Sequence, residues 1–505
     1  MPDVLDEILS RREEDYARLG PSFGSDVPAS RARAVVPFLA KPGAILEVKR
    51  ASPSKGDIAP DLDPVSLARS YAEAGARNVS VLTERRFFKG SLDDLIAASS
   101  AHPGLSFLRK DFILHEDEIE VSYRAGADAV LLIARILDAA TLRRLASACR
   151  ARGITAFVEA RDAADVAKIA LAAKDGPLLA GVNARDLATF RIDPLVPAAL
   201  RSSIPCRAVF ESGTSSPGAA RFARQLGFDG ILIGEAAARD PQAARSLVSA
   251  FESARPDWVG HFWREVGRRR AELGSRPLVK VCGITRAEDA LLAADLGADM
   301  LGLVFAQSPR RAGGDAARDV ARALRERFRQ SADASRQRPL LVGVVVDPAS
   351  HDGREALSLA LDGVLDAIQY HGDDPDRDLD LIDEAGKGSG IGRFAAVRLG
   401  SDADVARVSE LARAGEPRVL VDARVEGISG GTGQAIPRAL VRKVASGDRS
   451  PTAALWLAGG IGPANVRAYI EEFSPELIDA SSGLEAGPGK KDPALLKQFF
   501  KEIDR

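Results

Sequence analysis

The sequence of 505 residues contains few of the side chains that bind metals, cross-link chains or stack on nucleic-acid bases. It has three cysteines and five histidines, and only 5% of its residues are aromatic. The cysteines form no C-x-x-C pair and the histidines no H-E-x-x-H motif, so we expect neither a disulfide framework nor a metal site. The low aromatic content argues against a platform on which single-stranded bases stack.

The sequence also lacks an excess of charge of either sign and any long apolar run. Its 69 basic and 71 acidic residues give a formal net charge of -2, so no overall positive field exists to hold nucleic acid or an anionic membrane. No apolar run approaches the ~20 residues of a membrane span. The first residues are acidic and amphipathic rather than typical of a signal peptide. We therefore expect a cytoplasmic protein that binds neither nucleic acid nor membrane.

Short apolar runs rich in Val, Ile and Leu alternate with amphipathic helical segments through most of the chain. In the first half the predicted strands are 44–48, 79–83, 105–110, 129–133, 154–159, 179–183, 207–212 and 230–234. In the second half they are 278–283, 300–305, 340–346, 363–369, 394–399, 418–423, 454–460 and 476–481. Apolar strands separated by helices indicate parallel sheets covered by helices, and eight strands per half indicate closure. The pattern predicts two tandem (β/α)8 TIM barrels, the first preceded by an N-terminal helical extension.

The polar, basic stretch between the halves marks the predicted domain junction. We predict a first domain over 1–258, a helical linker over 259–276 and a second domain over 277–505. The run Arg268–Arg270 in this stretch is open to two interpretations, a binding patch or a solvated helix face. A doubly wound nucleotide-binding sheet is the main structural alternative. The absence of G-x-G-x-x-G after either first strand, and of G-x-x-x-x-G-K-[ST] anywhere, argues against it.

Active sites of such barrels lie at the carboxyl ends of the strands, so polar residues that end an apolar strand are candidates. In the first half these are Glu47, Lys49, Lys110, Glu159, Asn183, Arg185, Glu211 and Ser212. Because side chains alternate along a strand, Glu47 and Lys49 point to the same face and can hold each other charged. Glycine turns after strands seven and eight are typical of phosphate cradles. Alternatively, strand-end charges are solvated or pair within the barrel.

The first half resembles indole-3-glycerol-phosphate synthase over roughly residues 1 to 255. The resemblance is carried by ILEVKRASPSKG (45–56), LRKDFI (108–113), VEA (158–160), GVNARDL (181–187), ESG (211–213) and IGE (233–235). It implies ring closure of carboxyphenylamino-deoxyribulose phosphate, with loss of carbon dioxide and water, to give indole glycerol phosphate.

The same resemblance implies roles for individual residues. Lys110 matches the general acid, and Glu159 matches the acid/base that assists dehydration. Lys49 and Glu47 match the paired groups at the first strand. Which of the two lysines donates a proton at each step stays open. The residues that match substrate-binding groups are Ser52, Asn183, Arg185, Glu211 and Ser212. Those that match the phosphate cradle are Gly213, Gly234 and Glu235.

The strand ends of the second half carry a different set of polar residues and glycines. They are Cys282, Arg310, His371, Arg398, Asp422, GGTG (430–433), Gly459, Gly460, Asp479, Ser481 and Ser482. A thiol and a carboxyl group on opposing strands can act as a base and acid pair, although a lone cysteine is also a common core residue. Because only a thiolate abstracts a proton, we expect nearby cations or amides to lower the pKa of Cys282 towards neutrality.

The second half resembles phosphoribosylanthranilate isomerase from about residue 277 to the end. The matching motifs are VKVCGIT (279–285), FAQSPRR (305–311), IQYHG (368–372), VLVDA (419–423) with the GGTG loop, LAGGIGPANV (457–466) and DASSGLEAGPGKKD (479–492). The resemblance implies an Amadori rearrangement of an aminoaldose to an aminoketose. Asp422 matches the acid that protonates the ring oxygen, and Cys282 the base that takes the C2 proton.

Further residues of the second half are expected to bind the substrate. Arg310 matches the residue that binds the anthranilate part, and His371 is either a substrate-side or a structural histidine. The fifth strand reads FAAVRL, where many relatives carry a lysine before the alanine, and we expect Arg398 to compensate. Gly431 is a further predicted substrate contact. The predicted phosphate site consists of Gly459, Gly460, Ser481 and Ser482.

The two resemblances support each other, because the isomerase product is the synthase substrate and such enzymes occur fused in this order. We expect a bifunctional tryptophan-biosynthesis enzyme, a carboxy-lyase joined to an intramolecular oxidoreductase, with no metal or organic cofactor. Its predicted partners are its small phosphosugar-anthranilate substrates, and it is expected to be a monomer. Two alternatives are a chain in which one barrel has lost activity and a non-catalytic ligand-binding or scaffold protein.

Overall fold

The computed structural model describes residues 4–53, 56–186, 189, 191–256, 258–329, 337–386, 391–423, 436–446 and 454–504. The chain divides into two compact units, residues 1–256 and 257–505. No helix among the described residues is both long enough and apolar enough to span a membrane.

The first unit is built around a closed barrel of parallel strands. In chain order the barrel strands are Gly43–Val48, Asn78–Leu82, Ser106–Lys110, Ala129–Ile133, Thr155–Ala160, Leu179–Asn183, Ala208–Glu211 and Gly230–Ile233. The barrel closes where Gly43 of the first strand pairs with Gly230 of the last. A short hairpin, Ala51–Ser52 with Gly56–Asp57, follows the first strand.

Helices surround this barrel. They are Val4–Leu19, Pro64–Glu73, Leu92–Ala101, Asp117–Arg124, Ala139–Ala151, Ala163–Ala173, Leu195–Arg201, Pro217–Gln225, Glu235–Arg239 and Pro241–Ser253. Several begin at a side chain that accepts a hydrogen bond from an otherwise unpaired backbone N–H, as at Asp63 and at the reciprocal Ser91–Asp94 capping box. All six residues of the first strand are buried, as expected for a strand covered on both faces.

The second unit repeats the architecture. Its barrel strands are Leu278–Cys282, Met300–Phe305, Leu340–Val345, Ala367–Tyr370, Gly392–Leu399, Val419–Ala423, Trp456–Leu457 and Leu477–Ala480. Its helices are Trp258–Glu272, Ala287–Asp295, Gly314–Arg329, His351–Leu361, Pro375–Ala385, Asp402–Ala414, Arg438–Ser446, Val466–Phe473 and Pro493–Ile503. After the last barrel strand come a 3-10 turn, Ser482–Leu484, and a small antiparallel pair, Glu485–Gly487 with Lys490–Lys491. The predicted fold class, two tandem (β/α)8 barrels, is confirmed.

The segment predicted as a linker is mostly one helix, Trp258–Glu272, and it belongs to the second unit. The Phe262 ring stacks on Phe394 at a centroid distance of 6.1 Å, and Trp263 lies 5.7 Å from Trp456. Arg269 donates to the carbonyl oxygens of Asp299 and Arg338, just before the second and third strands. The helix therefore covers the end of the barrel where the strands begin, opposite the predicted site.

The predicted N-terminal extension of the first unit contains the helix Val4–Leu19, which is anchored beside the carboxyl end of the barrel. The buried Arg12 guanidinium contacts Asp111 at 3.1 Å and Glu118 at 2.5 Å, and donates to the carbonyl of Phe112 at 3.1 Å. Asp15 accepts two 2.6 Å hydrogen bonds from Arg86, in the loop after the second strand. This helix therefore fixes the loops that follow the second and third strands.

We predict that Trp263→Ala destabilises the second unit by about 3 to 5 kcal/mol, because it leaves a large cavity between the helix and the strands. Denaturant unfolding gives the size of the loss. Hydrogen-deuterium exchange should become faster in peptides from 278–503, with peptides from 43–233 as an internal reference. Leu361→Ala is the matched control, because Leu361 is 45% exposed and its loss should cost less than about 0.5 kcal/mol. Equal effects of the two substitutions would contradict the packing role.

Candidate active sites

Lys110 lies at the centre of the charged cluster at the mouth of the first barrel. Its Nζ is 3.1 Å from Oε2 of Glu211 and 3.3 Å from Oε2 of Glu47. Lys49 approaches the other oxygen of Glu47 at 3.6 Å. Three strand ends, the first, third and seventh, thus bring two ammonium groups and two carboxylates together as the sequence predicts.

Glu159 and Asn183 extend this cluster along the rim. The Asn183 side-chain amide donates to Glu159 at 3.4 Å, and its oxygen accepts from the backbone N–H of Arg185 at 2.9 Å. Gly181 makes room for the cluster, because a Cβ there would lie 2.0 Å from Oε1 of Glu211. The sixth strand therefore needs a glycine for the Glu211 carboxylate to reach Lys110.

The protonation of the cluster is set by burial and by opposite charges. Burial alone would lower the pKa of Lys110, but Glu47, Glu211 and Glu159 raise it well above its ordinary value. The pKa of Glu211 rises to about 8, chiefly through burial and then through the charge of Glu159. Burial would also raise the pKa of Glu47, but the two lysines lower it overall. A charged ammonium therefore lies beside a carboxyl group that exchanges its proton near neutral pH.

Two cations at the rim are less well compensated by carboxylates. The pKa of Lys49 is lowered by burial and by the positive charges of Lys110 and Arg185, which outweigh the effect of Glu47. Burial lowers the pKa of Arg185 as well, against the charges of Glu235 and Glu47. A bound anion would relieve both shifts, so this side of the mouth is electrostatically suited to a carboxylate or phosphate.

The remaining predicted residues of the first site lie in the adjoining turns. Ser212 and Gly213 have φ of 67° and 82° in the turn after the seventh strand. Gly234 follows the eighth strand next to the Glu47 carboxylate, and Glu235 begins a short helix. Ser52 is buried in the hairpin after the first strand. All of these residues follow carboxyl ends of barrel strands.

A cavity opens at the carboxyl end of the second barrel. Its lining contains the following predicted site residues: Cys282, Arg310, His371, Asp422, Gly459, Gly460, Ser481 and Ser482. Arg398 pairs in register with Asp422, but its guanidinium binds Asp373 and the residue is not among the described ones that line the cavity. The predicted contact Gly431 lies outside the described residues.

Asp422 and His371 are neighbours in the wall of this cavity, with Oδ2 of Asp422 3.5 Å from Nε2 of His371. Burial raises the pKa of Asp422 to about 6. A 2.7 Å hydrogen bond from the backbone N–H of Ala423 and the charges of Lys280 and Arg398 lower it, but by less. Burial, followed by the charges of Arg398 and Lys280, lowers the pKa of His371 to about 4. Near neutral pH the histidine is neutral, and a fraction of Asp422 carries a proton that it can donate.

Lys280 is a buried cation at this site that the sequence analysis did not select. Its Nζ contacts Asp479 at 2.6 Å, and a Cβ on the neighbouring Gly302 would meet both that nitrogen and the Cys282 sulfur. The signal was available, because Lys280 precedes Cys282 by two residues and so points to the same face of the strand. The alternation that places Glu47 and Lys49 on one face also places Lys280 beside Cys282.

The pKa of Cys282 shifts in the direction opposite to the one expected. Burial raises it above its ordinary value, although the Lys280 and Lys491 ammonium groups act to lower it. The predicted lowering is therefore wrong, because burial of the thiol, together with the charge of Asp479, outweighs the two cations. Lys280 and Lys491 are nevertheless placed to stabilise a thiolate when one forms.

Comparison with known proteins finds a family match for each unit. Residues 29–249 match the family model for indole-3-glycerol phosphate synthase, and residues 279–502 match that for N-(5'phosphoribosyl)anthranilate (PRA) isomerase. An indole-3-glycerol phosphate synthase of Nocardioides sp. is 41% identical over 266 residues, which cover 50% of this chain and 99% of that protein.

Other relatives match both units. A multifunctional tryptophan biosynthesis protein of Phanerodontia chrysosporium is 32% identical over 99% of this chain and 70% of its own length. One of Schizosaccharomyces pombe is 32% identical over 92% of this chain, which spans 59% of that relative. The fold and the matches together define a tandem-barrel protein related to enzymes of amino-acid biosynthesis. The chain belongs to the family of multifunctional tryptophan biosynthesis proteins, with a unit that matches the synthase model followed by one that matches the isomerase model.

The raised pKa of Asp422 predicts a pH-dependent effect of Asp422→Asn on stability. The folded state binds the proton more tightly than the unfolded chain, so the aspartate costs stability progressively as pH rises from 3.8 through about 6. Relative to wild type, Asp422→Asn should gain about 2 to 3 kcal/mol between pH 4 and pH 8 in the free energy of unfolding of the second unit. Leu361→Ala, which changes no titratable group, should show no such trend. A pH-independent difference for Asp422→Asn would contradict the shift.

Proposed function

We propose that the second unit isomerises N-(5-phosphoribosyl)anthranilate to carboxyphenylamino-deoxyribulose phosphate and that the first unit converts this product to indole-3-glycerol phosphate. The observation that carries the proposal is the presence of paired acid and base groups at both barrel mouths. Lys110 with its carboxylates supplies them in the first unit, and Asp422 with Cys282 in the second. A binding protein would need no such pairs.

In the proposed isomerisation, the carboxyl group of Asp422 protonates the ring oxygen of the sugar, and the ring opens. Its pKa of about 6 keeps part of the group protonated near neutral pH, as a general acid requires. The thiolate of Cys282, a minor form of this buried thiol near neutral pH that Lys280 and Lys491 stabilise, then removes the proton from C2. His371 is neutral at this pH and serves as a polar neighbour of Asp422 rather than as a second cation.

The substrate's two anionic groups fix its orientation in the proposed complex. Arg310 lines the cavity on one side and is suited to bind the anthranilate carboxylate. Gly460, Ser481 and Ser482 line it at the turns after strands seven and eight, where phosphate is commonly held in this fold. Holding both ends places the sugar between Cys282 and Asp422.

In the proposed ring closure, Lys110 polarises the substrate ketone by donating a proton as the aromatic ring attacks. The group stays protonated because the charge of Glu47, with those of Glu211 and Glu159, favours its ammonium form. Carbon dioxide and water then leave, and Glu159, adjacent to Asn183, assists the dehydration. Lys49 and Arg185 hold the anionic parts of the substrate, and the turns at Gly213 and Gly234 hold its phosphate.

Lys110→Ala should reduce indole glycerol phosphate formation by about 10² to 10⁴ because it removes the proton donor. The chain is given phosphoribosylanthranilate, and both the intermediate and the final product are followed by fluorescence. Isomerisation should continue, so the intermediate should accumulate. Lys41→Ala, at an exposed lysine, should leave both rates unchanged. Loss of isomerisation in a folded Lys110→Ala protein would contradict independent sites.

Cys282→Ser should reduce isomerase turnover by about 10² to 10⁴, because a hydroxyl group is a far weaker acid than a thiol and supplies almost no anionic base. Synthase turnover on the isolated intermediate should be unchanged. Cys206→Ser is the matched control, because Cys206 precedes the seventh strand of the first barrel. Near-normal isomerase turnover in Cys282→Ser would show that another group takes the proton.

A further inference from the structure

The guanidinium group of Arg310 is held along one edge by a single buried carboxylate. Its Nε lies 3.0 and 2.9 Å from the two oxygens of Glu485, and its Nη2 lies 2.9 Å from Oε2. The Glu485 side chain is only 4% exposed. This contact uses the Nε and Nη2 edge of the guanidinium, and no described residue accepts from Nη1, so that end faces an acceptor in the cavity that Arg310 lines.

Glu485 is itself held by Lys491, a fully buried lysine. The Lys491 ammonium donates to Oε1 of Glu485 at 3.0 Å, to the carbonyl of Cys282 at 2.6 Å and to the carbonyl of Ser481 at 3.1 Å. An ammonium group has three donors, and all three are used. The carboxylate is therefore fixed relative to two points of the cavity wall, the strand end at Cys282 and the turn at Ser481.

Gly283 leaves the space in which these groups meet. It follows Cys282 with φ of 78°, and a Cβ there would lie 2.9 Å from Cδ of Arg310, 3.0 Å from Oγ of Ser481 and 3.3 Å from Oε1 of Glu485. The first strand, the loop that carries Arg310 and the turn after the eighth strand thus converge on one residue without a side chain.

We propose that Glu485 is a positioning residue that aims Arg310 at the carboxylate of the substrate. This inference rests on the proposed isomerase function and extends it by one residue that does not touch the substrate itself. Arg310 and Lys491 carry two positive charges and Glu485 one negative charge, so the group retains a net positive charge for an anionic ligand. Without the Glu485 carboxylate, the Arg310 side chain would sample several rotamers, and binding would have to order it.

Glu485→Gln keeps the size of the side chain and removes its charge. Two inhibitors of isomerisation separate positioning from general stability: the product with its ketone reduced to an alcohol, and the same compound without the carboxyl group. Their competitive inhibition constants are measured with the full chain from initial rates. In Glu485→Gln, we expect the constant for the carboxylate compound to rise by about 10-fold or more, as for a lost charge-assisted hydrogen bond.

The constant for the carboxyl-free compound should change by less than about 2-fold, since it does not use Arg310. The KM for phosphoribosylanthranilate should rise more than kcat falls. Asp352→Asn is the matched control, because it removes the carboxylate that pairs at 2.7 Å with the adjacent Arg311 outside the cavity. It should change neither inhibition constant.

Equal weakening of both inhibitors in Glu485→Gln, or no change in either, would overturn the positioning role. If wild-type protein binds neither inhibitor, the proposed isomerase function fails, and this inference fails with it. Should Glu485→Gln not fold, Glu485→Asp keeps the charge on a side chain one methylene shorter. In Glu485→Asp, the inhibition constant of the carboxylate compound should rise by a smaller factor, and that of the carboxyl-free compound should stay unchanged. If the two constants changed equally, or neither changed, the inference would be overturned.

Discussion

Each unit depends on the closed ladder of parallel strands, because closure in one direction places every carboxyl end on the same rim. Residues far apart in the chain, such as Glu47, Lys110 and Glu211, meet only because their strands pair in that register. The same closure brings Cys282 next to the turn at Ser481 in the second unit. The loops and helices adjust these positions, but the ladder determines which side chains can meet.

This arrangement buries charged side chains in an environment of low polarity, which costs free energy. Oppositely charged or polar partners offset that cost. Lys110 lies between two carboxylates, Lys280 contacts Asp479, and Lys491 is bound by Glu485 and two carbonyls. A buried charge without a partner would cost several kcal/mol. At Asp422 and Glu211, nearby positive charges do not fully offset burial. The pKa values of both carboxyl groups are therefore raised, and each group has a proton available near neutral pH.

Strand periodicity predicted the fold and most of the rim, because an apolar strand ending in a polar residue is a local signal. Lys280 lies inside its strand and not at its end, so this signal does not select it; only the alternation of side chains places it on the same face as Cys282. Glu485 and Lys491 carry no such signal, because their role depends on a hairpin folding back onto the first strand. The direction of the Cys282 pKa could not be read either, since it depends on burial against two cations, and sequence shows only the residue types.

In each unit, a buried polar contact near the barrel mouth joins residues that are far apart along the chain. Arg12 pairs with Glu118, 106 positions later, and Lys491 donates to Cys282, 209 positions earlier. On a growing chain, the residues of the first helix are therefore synthesised before the carboxylates that Arg12 contacts. In the second barrel, the residues of the first strand are synthesised long before Lys491, which follows the last strand. Since domains fold largely as units during translation, the first barrel can complete its site while the second is still being made, and the second cannot complete its own until Lys491 has emerged.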